Sequence, residues 1–151
     1  MTPEEQAREE LKTLGIAKLN IAKGWGMAFF KFAQANNGQM PKEFQEAQQD
    51  FPEFSEELSK IVGATGIAGM NGDGFEITFH GRLNEIENPS QAIILREKEP
   101  FHYGEDGSAQ RTYLFADGHS EIHKARDGNF ERWENERQPI LKQDAVSTGT
   151  E

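Results

Sequence analysis

The side chains best suited to chemistry lie close together near residue 120. His119, Glu121 and His123 alternate along the chain, so on a β-strand they share one face, and imidazole and carboxylate groups are common ligands of divalent metals. The histidines at 119 and 123 would be roughly 13 Å apart on a straight strand, too far to share one ion. A site that combines His119 with Asp117, or with His102 from a neighbouring loop, is sterically easier. The sequence therefore predicts a candidate divalent-metal site at His119, Asp117 and His102.

The same histidines could also take part in acid–base chemistry. His102 and His119, with Glu97 or Asp117, could form an acid–base pair, a role in which histidine recurs because its ordinary pKa lies near neutral pH. The sequence contains no nucleophile elbow, phosphate-binding glycine loop or HExxH helix to accompany them. A non-catalytic role is therefore the favoured interpretation, with a small metal-dependent enzyme kept as an alternative.

A candidate interaction surface follows from the side chains expected to face solvent. Glu121 and His123 belong to the polar face of a strand, and Tyr103 lies in a polar loop between residues 100 and 109. Phe30 falls outside the main apolar stripe of its predicted helix, so it could form part of an exposed apolar patch. These four residues are the predicted contacts of a protein partner.

A β-hairpin must position most of these groups. The dipeptide Asp117-Gly118 separates two strand-like runs and is typical of a type I′ turn, in which both central residues have positive φ. Alternation predicts that Tyr113 and Phe115 share one face and that Leu114 faces the other way. This hairpin is the best-defined element in the sequence.

A long helix precedes the strands. Thr2 can cap its start and Pro3 suits its first position, while apolar residues recur at steps of three or four up to Phe32. Gly38 can end it in the left-handed conformation. A continuous helix would be roughly 50 Å long, although glycines near Gly24 predict a break or bend.

The remaining order of elements indicates an α+β fold. Strand patterns at residues 75–80 and 91–97 join the hairpin to give an antiparallel sheet of about four strands, with the long helix packed on one face. Residues 1–137 are expected to form a single domain. Residues 138–151 are polar and are expected to be a disordered tail.

Composition limits the classes of partner. The 151 residues carry a formal net charge of −10 and contain no cysteine. Direct nucleic-acid binding is not expected, because it depends on lysines and arginines that neutralise phosphates. No apolar run approaches the roughly 20 residues of a transmembrane helix, and no cationic leader begins the sequence. A protein partner is the favoured interpretation.

Two segments resemble a known family. The segments LFADGHSEIH (114–123) and AIILREKEPFHYGEDG (92–107) resemble pilin-like proteins that carry a histidine-to-Asp-Gly motif. One branch of this pilin-like family is more similar still. The similarity lies in the segments FEITFHGRLNEIENPSQAIILREKEP (75–100) and FADGHSEIHKARDGNFERWE (115–134). In that branch the domain is a C-terminal extension of bacterial RNA polymerase sigma factors of the extracytoplasmic-function type.

The resemblance implies a pilin-like fold and a regulatory, cytoplasmic role, and it implies no catalytic residues. The polymerase-binding and promoter-binding regions of a sigma factor are absent from these 151 residues, so the chain alone is not expected to initiate transcription. The apolar N-terminal segment of pilins is absent as well. A second interpretation is the soluble domain of a surface pseudopilin in the cell envelope. A third is a divalent-metal-binding module that uses His102 and His119.

Overall fold

The computed structural model describes residues 2–49, 74–103 and 107–142, together with Glu56 and Lys60. Within these residues the helices and strands follow one another in a simple order. They are α1 (Pro3–Ala35), α2 (Phe44–Gln49), β1 (Phe75–Ile77), β2 (Ile93–Glu97), β3 (Phe101–His102), β4 (Ala109–Phe115), β5 (Ser120–Ala125) and α3 (Glu131–Asn135). No helix among the described residues is long and apolar enough to span a bilayer.

Helix α1 begins and ends where the sequence predicts. The side chain of Thr2 accepts a hydrogen bond from the backbone N–H of Glu5 at 3.1 Å, and Pro3 occupies the first turn. At the other end Asn37 and Gly38 take positive φ values of 56° and 86°. The helix is continuous over 33 residues, so of the break or bend predicted near Gly24 the break is wrong.

The predicted α+β architecture is confirmed. Strand β2 lies between β1 and β4, and β5 pairs with the other edge of β4. All pairs are antiparallel, with Ile77 opposite Leu95 and Arg111 opposite His123. The sheet has five strands rather than about four, because the predicted loop at 100–109 contributes β3. His102 of that strand pairs with Ala109.

Strands β2 and β3 pair with the same edge of β4. Between them the backbone pairing is interrupted, and a buried ion pair fills the gap. One carboxylate oxygen of Glu97 accepts a hydrogen bond from the backbone N–H of Thr112 at 3.1 Å, and the other accepts from the ammonium group of Lys18 on α1. The Lys18 nitrogen also lies 4.8 Å from the ring centre of Phe101 in β3. The pair therefore ties the middle of α1 to the sheet at the point where backbone pairing stops.

The sheet is packed on both faces. Toward α1, Trp25 and Phe29 meet Ile94, Leu95 and Leu114 in the larger apolar cluster. Toward α3 a second cluster forms, consisting of Ile93, Ala109, Tyr113, Phe115, Ala125 and Phe130 with Trp133 against it. The predicted alternation of β4 is confirmed, since odd-numbered and even-numbered positions enter different clusters.

The hairpin turn differs in type from the one predicted. Gly118 has φ of 95°, whereas Asp117 is not among the described non-glycine residues with positive φ. The N–H of Gly118 donates to the carbonyl of Phe115, and the N–H of Phe115 donates to the carbonyl of His119. These bonds define a three-residue loop, a type I turn closed by a glycine bulge, so only one residue needs the left-handed region.

The residues just after α3 contact the domain. Leu141 forms an isolated β-bridge with Ile86, and the N–H of Ile140 donates to the side-chain oxygen of Asn88 at 2.8 Å. Residues 138–142, assigned by sequence to the tail, therefore run beside residues 86–88. The rest of the predicted disordered tail, 143–151, lies outside the described residues.

Candidate functional site

The candidate site is the sheet surface that faces away from α1. Register places Glu121 of β5 opposite Tyr113 of β4, and alternation brings His119, Glu121 and His123 to the same face as Phe115. Helix α3 adds the indole of Trp133. We refer to Phe115, His119, Glu121, His123 and Trp133 as the histidine–aromatic face.

His119 is held at the hairpin turn by its neighbour two residues earlier. Asp117 Oδ1 accepts from the backbone N–H of His119 at 3.1 Å and lies 2.5 Å from its ring Nδ1. The imidazole lies flat on Phe115, with ring centres 4.4 Å apart and planes 5° apart. Its Nε2 is 3.8 Å from a carboxylate oxygen of Glu121. The ring is therefore fixed in orientation while its side chain remains 42% exposed.

His123 is held by α3 instead. Its ring stacks on Trp133 at 4.1 Å with planes 11° apart, and it meets Phe130 edge-on at 6.0 Å. Burial lowers the pKa of His123 and the positive charge of Arg137 lowers it further, whereas Glu121 acts in the opposite direction. The neutral imidazole is thus favoured, as expected for a ring packed in an aromatic stack.

A buried carboxylate anchors α3 to this face. Glu134 is 8% exposed and accepts hydrogen bonds from Arg96 at 2.6 Å, Arg111 at 3.3 Å and the Tyr113 hydroxyl at 2.6 Å. Burial and the bond to Glu134 raise the pKa of Tyr113, so the phenol remains a donor. Burial would lower the pKa of Arg96, but Glu76 and Glu134 together outweigh it and raise the pKa. We therefore assign a structural role to Glu134 and its partners, because each charged group is paired with one of opposite charge.

The structure brings together only part of the predicted metal set. Asp117 and His119 are in contact, but His102 pairs with Ala109 at the opposite end of β4. The six residue steps from Ala109 to Phe115 correspond to roughly 20 Å along a strand. Within the described part of the chain, no group of three or more potential metal ligands converges.

His102 and Tyr103 belong to a different surface. With Phe101 they line one side of an open cleft of about 910 Å³, and the first turns of α1, including Leu11 and Leu14, line the other. Tyr103 is 41% exposed there. The predicted interaction residues therefore fall on two separate surfaces, with Glu121 and His123 on the histidine–aromatic face and Tyr103 in this cleft.

Phe30 is not an exposed contact. It is half-buried beside the hairpin turn, and a Cβ built on Gly118 would lie 2.8 Å from its ring. The large apolar side chains that α1 exposes are instead Ile16 and Met27, at 50% and 60% exposure.

Sequence reasoning did not place α3 against His123. Trp133, Glu134 and Arg137 approach β4 and β5 from outside, and the guanidinium carbon of Arg137 lies 4.2 Å from the indole ring centre. Their spacing from Phe130, at steps of three or four, was the available signal of one helical face. Five residues of helix were too short for that signal to specify which surface they would cover.

A scan against protein-family models, a search of curated proteins and a search of solved structures each gave no match to this chain. The assignment of a function therefore depends on the residues themselves.

Proposed function

We propose that this chain is a non-catalytic module that binds another protein through the exposed rim of the histidine–aromatic face. The observation that carries the proposal is the presentation of His119, flat on Phe115, fixed by Asp117 and still 42% exposed. An immobilised ring loses little conformational entropy when a partner covers it. Aromatic centres with a polar rim are also typical of protein interfaces.

The charges of this face support binding over catalysis. Glu134 is occupied by Arg96, Arg111 and Tyr113, so the buried carboxylate is committed to holding α3. At the rim of the histidine–aromatic face, the side chain of Glu121 is 50% exposed. An exposed carboxylate beside an exposed ring can select a partner by charge while the ring supplies contact area.

The resemblance of residues 75–100 and 115–134 to sigma-factor extensions suggests the setting. In that setting the module would be a regulatory extension in the cytoplasm, and its partner would be RNA polymerase or an anti-sigma factor. The pseudopilin alternative would place the same fold in the cell envelope. Sequencing the native gene upstream of the Thr2 codon separates the two, since one predicts polymerase-binding and promoter-binding helices and the other an apolar helix of roughly 20 residues.

The binding surface is tested with RNA polymerase core enzyme from the native host. The immobilised chain should bind core enzyme in biolayer interferometry, and Glu121→Lys or His119→Ala should weaken binding by at least about tenfold. Lys124→Glu is the matched control, because Lys124 is exposed on the same strand and points to the other face. No binding, or equal losses in all three variants, would contradict the polymerase-binding proposal.

A second candidate function is a weak divalent-metal site at the hairpin turn. It is favoured by the contact between Asp117 and His119, with Glu121 3.8 Å from the other ring nitrogen. Zinc added to protein that carries no histidine tag should raise the melting temperature, and His119→Ala should remove that shift. If zinc leaves the melting temperature of the parent chain unchanged, this candidate is wrong.

A further inference from the structure

The outer side of α1 carries a regular row of exposed residues that the proposed function does not use. Its members recur at steps of three or four and lie opposite the side that packs on the sheet. They are Glu5, Glu9, Lys12, Ile16, Asn20, Lys23 and Met27. We call this row the outer stripe. It is roughly 33 Å long at about 1.5 Å per residue.

Four members of the stripe, Lys12, Ile16, Lys23 and Met27, occupy matching positions of two eleven-residue segments of the helix. Residues 12–22 (KTLGIAKLNIA) and 23–33 (KGWGMAFFKFA) share their first lysine, one glycine and two alanines at matching positions. Eleven residues make about three helical turns, so matching positions lie on one face. Gly15 and Gly26 face the strands, while Ile16 and Met27 face outward with half or more of their surface exposed. The two exposed apolar side chains are therefore part of a pattern.

Charge reverses along the stripe. Glu5 and Glu9 lie near its start, and Lys12 and Lys23 follow. Residues 11–42 contain five lysines and no aspartate or glutamate, although the whole chain has a net charge of −10. A helix face that is acidic at one end and basic toward the other is complementary to a reversed copy of itself.

The positions of the stripe are symmetric about Ile16. Reversing the row leaves the set of positions unchanged, as an isologous interface requires. We propose that α1 pairs antiparallel with α1 of a second copy, with Ile16 on the two-fold axis. Glu9 then lies opposite the partner's Lys23, twice in the dimer, and Lys12 lies opposite the partner's Asn20.

The described residues leave the outer stripe exposed. Gly15 and Gly26 point toward Ile122 and Leu114 of the sheet, so a helix on the outer stripe approaches from the opposite side. Packed helices approach to about 8–10 Å between axes, which brings Ile16 of both copies into contact. An acidic peptide or an anionic membrane would instead leave Glu5 and Glu9 facing like charge, which is why a second copy fits this surface better.

Sedimentation equilibrium on the whole chain tests the proposal. We expect a reversible dimer at micromolar concentrations whose dissociation constant rises by about tenfold or more between low and high salt, because exposed ion pairs are screened. Lys23→Glu and Glu9→Lys should each weaken the dimer by at least about tenfold. Lys124→Glu, exposed on the sheet, is the control and should leave the dissociation constant unchanged.

The charge-swap variant identifies the pairing. The double variant Glu9→Lys/Lys23→Glu should dimerise like the parent chain, and an equimolar mixture of the two single variants should form a heterodimer. A chain that remains monomeric at all concentrations, or a double variant that stays monomeric, would overturn the proposal. Binding to phosphatidylserine vesicles that Lys23→Glu removes and Glu9→Lys strengthens, without dimer formation, would overturn it in favour of a membrane contact. Because these variants lie on α1, failure here leaves the polymerase-binding test through Glu121 unaffected.

Discussion

Gly26 of α1 lies directly over Leu114 of β4, so that a Cβ built on Gly26 would be 3.1 Å from Leu114 Cδ1. Gly15 stands in the same relation to Ile122, also at 3.1 Å. A glycine costs a helix interior up to about 1 kcal/mol relative to alanine. At these two positions the missing side chain lets the helix approach the sheet closely, which accounts for a continuous helix in a glycine-containing sequence.

We expect Gly26→Ala to lower the free energy of unfolding by about 1 kcal/mol, because overpacking the fully buried Leu114 outweighs the gain in helix propensity. In a Leu114→Ala background the same change should instead raise the free energy of unfolding by up to about 1 kcal/mol. Urea denaturation of the four chains measures this reversal of sign. Equal effects in both backgrounds would contradict the close-contact explanation.

The contact between Phe30 and the hairpin turn can be isolated by comparing two glycines. Gly118 and Gly107 have similar φ values of 95° and 91°, but a Cβ at Gly118 would lie 2.8 Å from Phe30, whereas Gly107 has nothing within 4 Å. Alanine at either position pays about 1–2 kcal/mol for the left-handed backbone. Gly118→Ala should lower the free energy of unfolding by about 1 kcal/mol more than Gly107→Ala, since it must also displace the Phe30 ring. Thermal unfolding of both variants gives the difference, and equal losses would show that Phe30 moves aside freely.

Local signals explain why much of the fold was predictable. Thr2 and Gly38 marked the ends of α1, and alternation placed Leu114 and Phe115 on opposite faces because a strand has a period of two. The interruption in backbone pairing that Glu97 fills was not predictable. It depends on where β2 stops pairing with β4 and where β3 starts pairing with the same edge.

The candidate site was predictable only within one hairpin. The shared face of His119, Glu121 and His123 follows from strand geometry, and the contact with Asp117 follows from the turn. The distance to His102 depends on tertiary packing, for which the sequence holds no local signal. The spacing of Trp133 from Phe130 indicates a helical face, but it does not specify that this face covers His123.

Removing the carboxylate of Glu134 should destabilise the fold strongly. Glu134→Gln would leave Arg96 and Arg111 without their shared partner charge. We expect a loss of about 2–3 kcal/mol, since the side chain of Arg96 is 33% exposed and that of Arg111 only 12%. Glu131→Gln on the same short helix is the control, and because Glu131 is exposed its effect should stay below about 0.5 kcal/mol. Guanidinium denaturation monitored by Trp133 and Trp25 fluorescence measures the free energy of unfolding of both variants. A small loss for Glu134→Gln would show that α3 is held mainly by the packing of its aromatic side chains.

The stack of His123 on Trp133 should make stability depend on pH in a defined direction. Because burial and Arg137 lower the pKa of His123 in the folded chain, the unfolded chain binds the proton first as pH falls. The free energy of unfolding should therefore be highest above about pH 6.5, the ordinary histidine pKa, and should fall as pH drops toward the folded-state value. His123→Gln should remove this part of the pH dependence, whereas His80→Gln, at an exposed position, should retain it. Unfolding curves between about pH 5 and 8 measure the pH dependence of the free energy of unfolding, and an NMR titration of the ring proton measures the pKa of His123. A His123 pKa at or above the ordinary histidine value would contradict the packed, neutral ring.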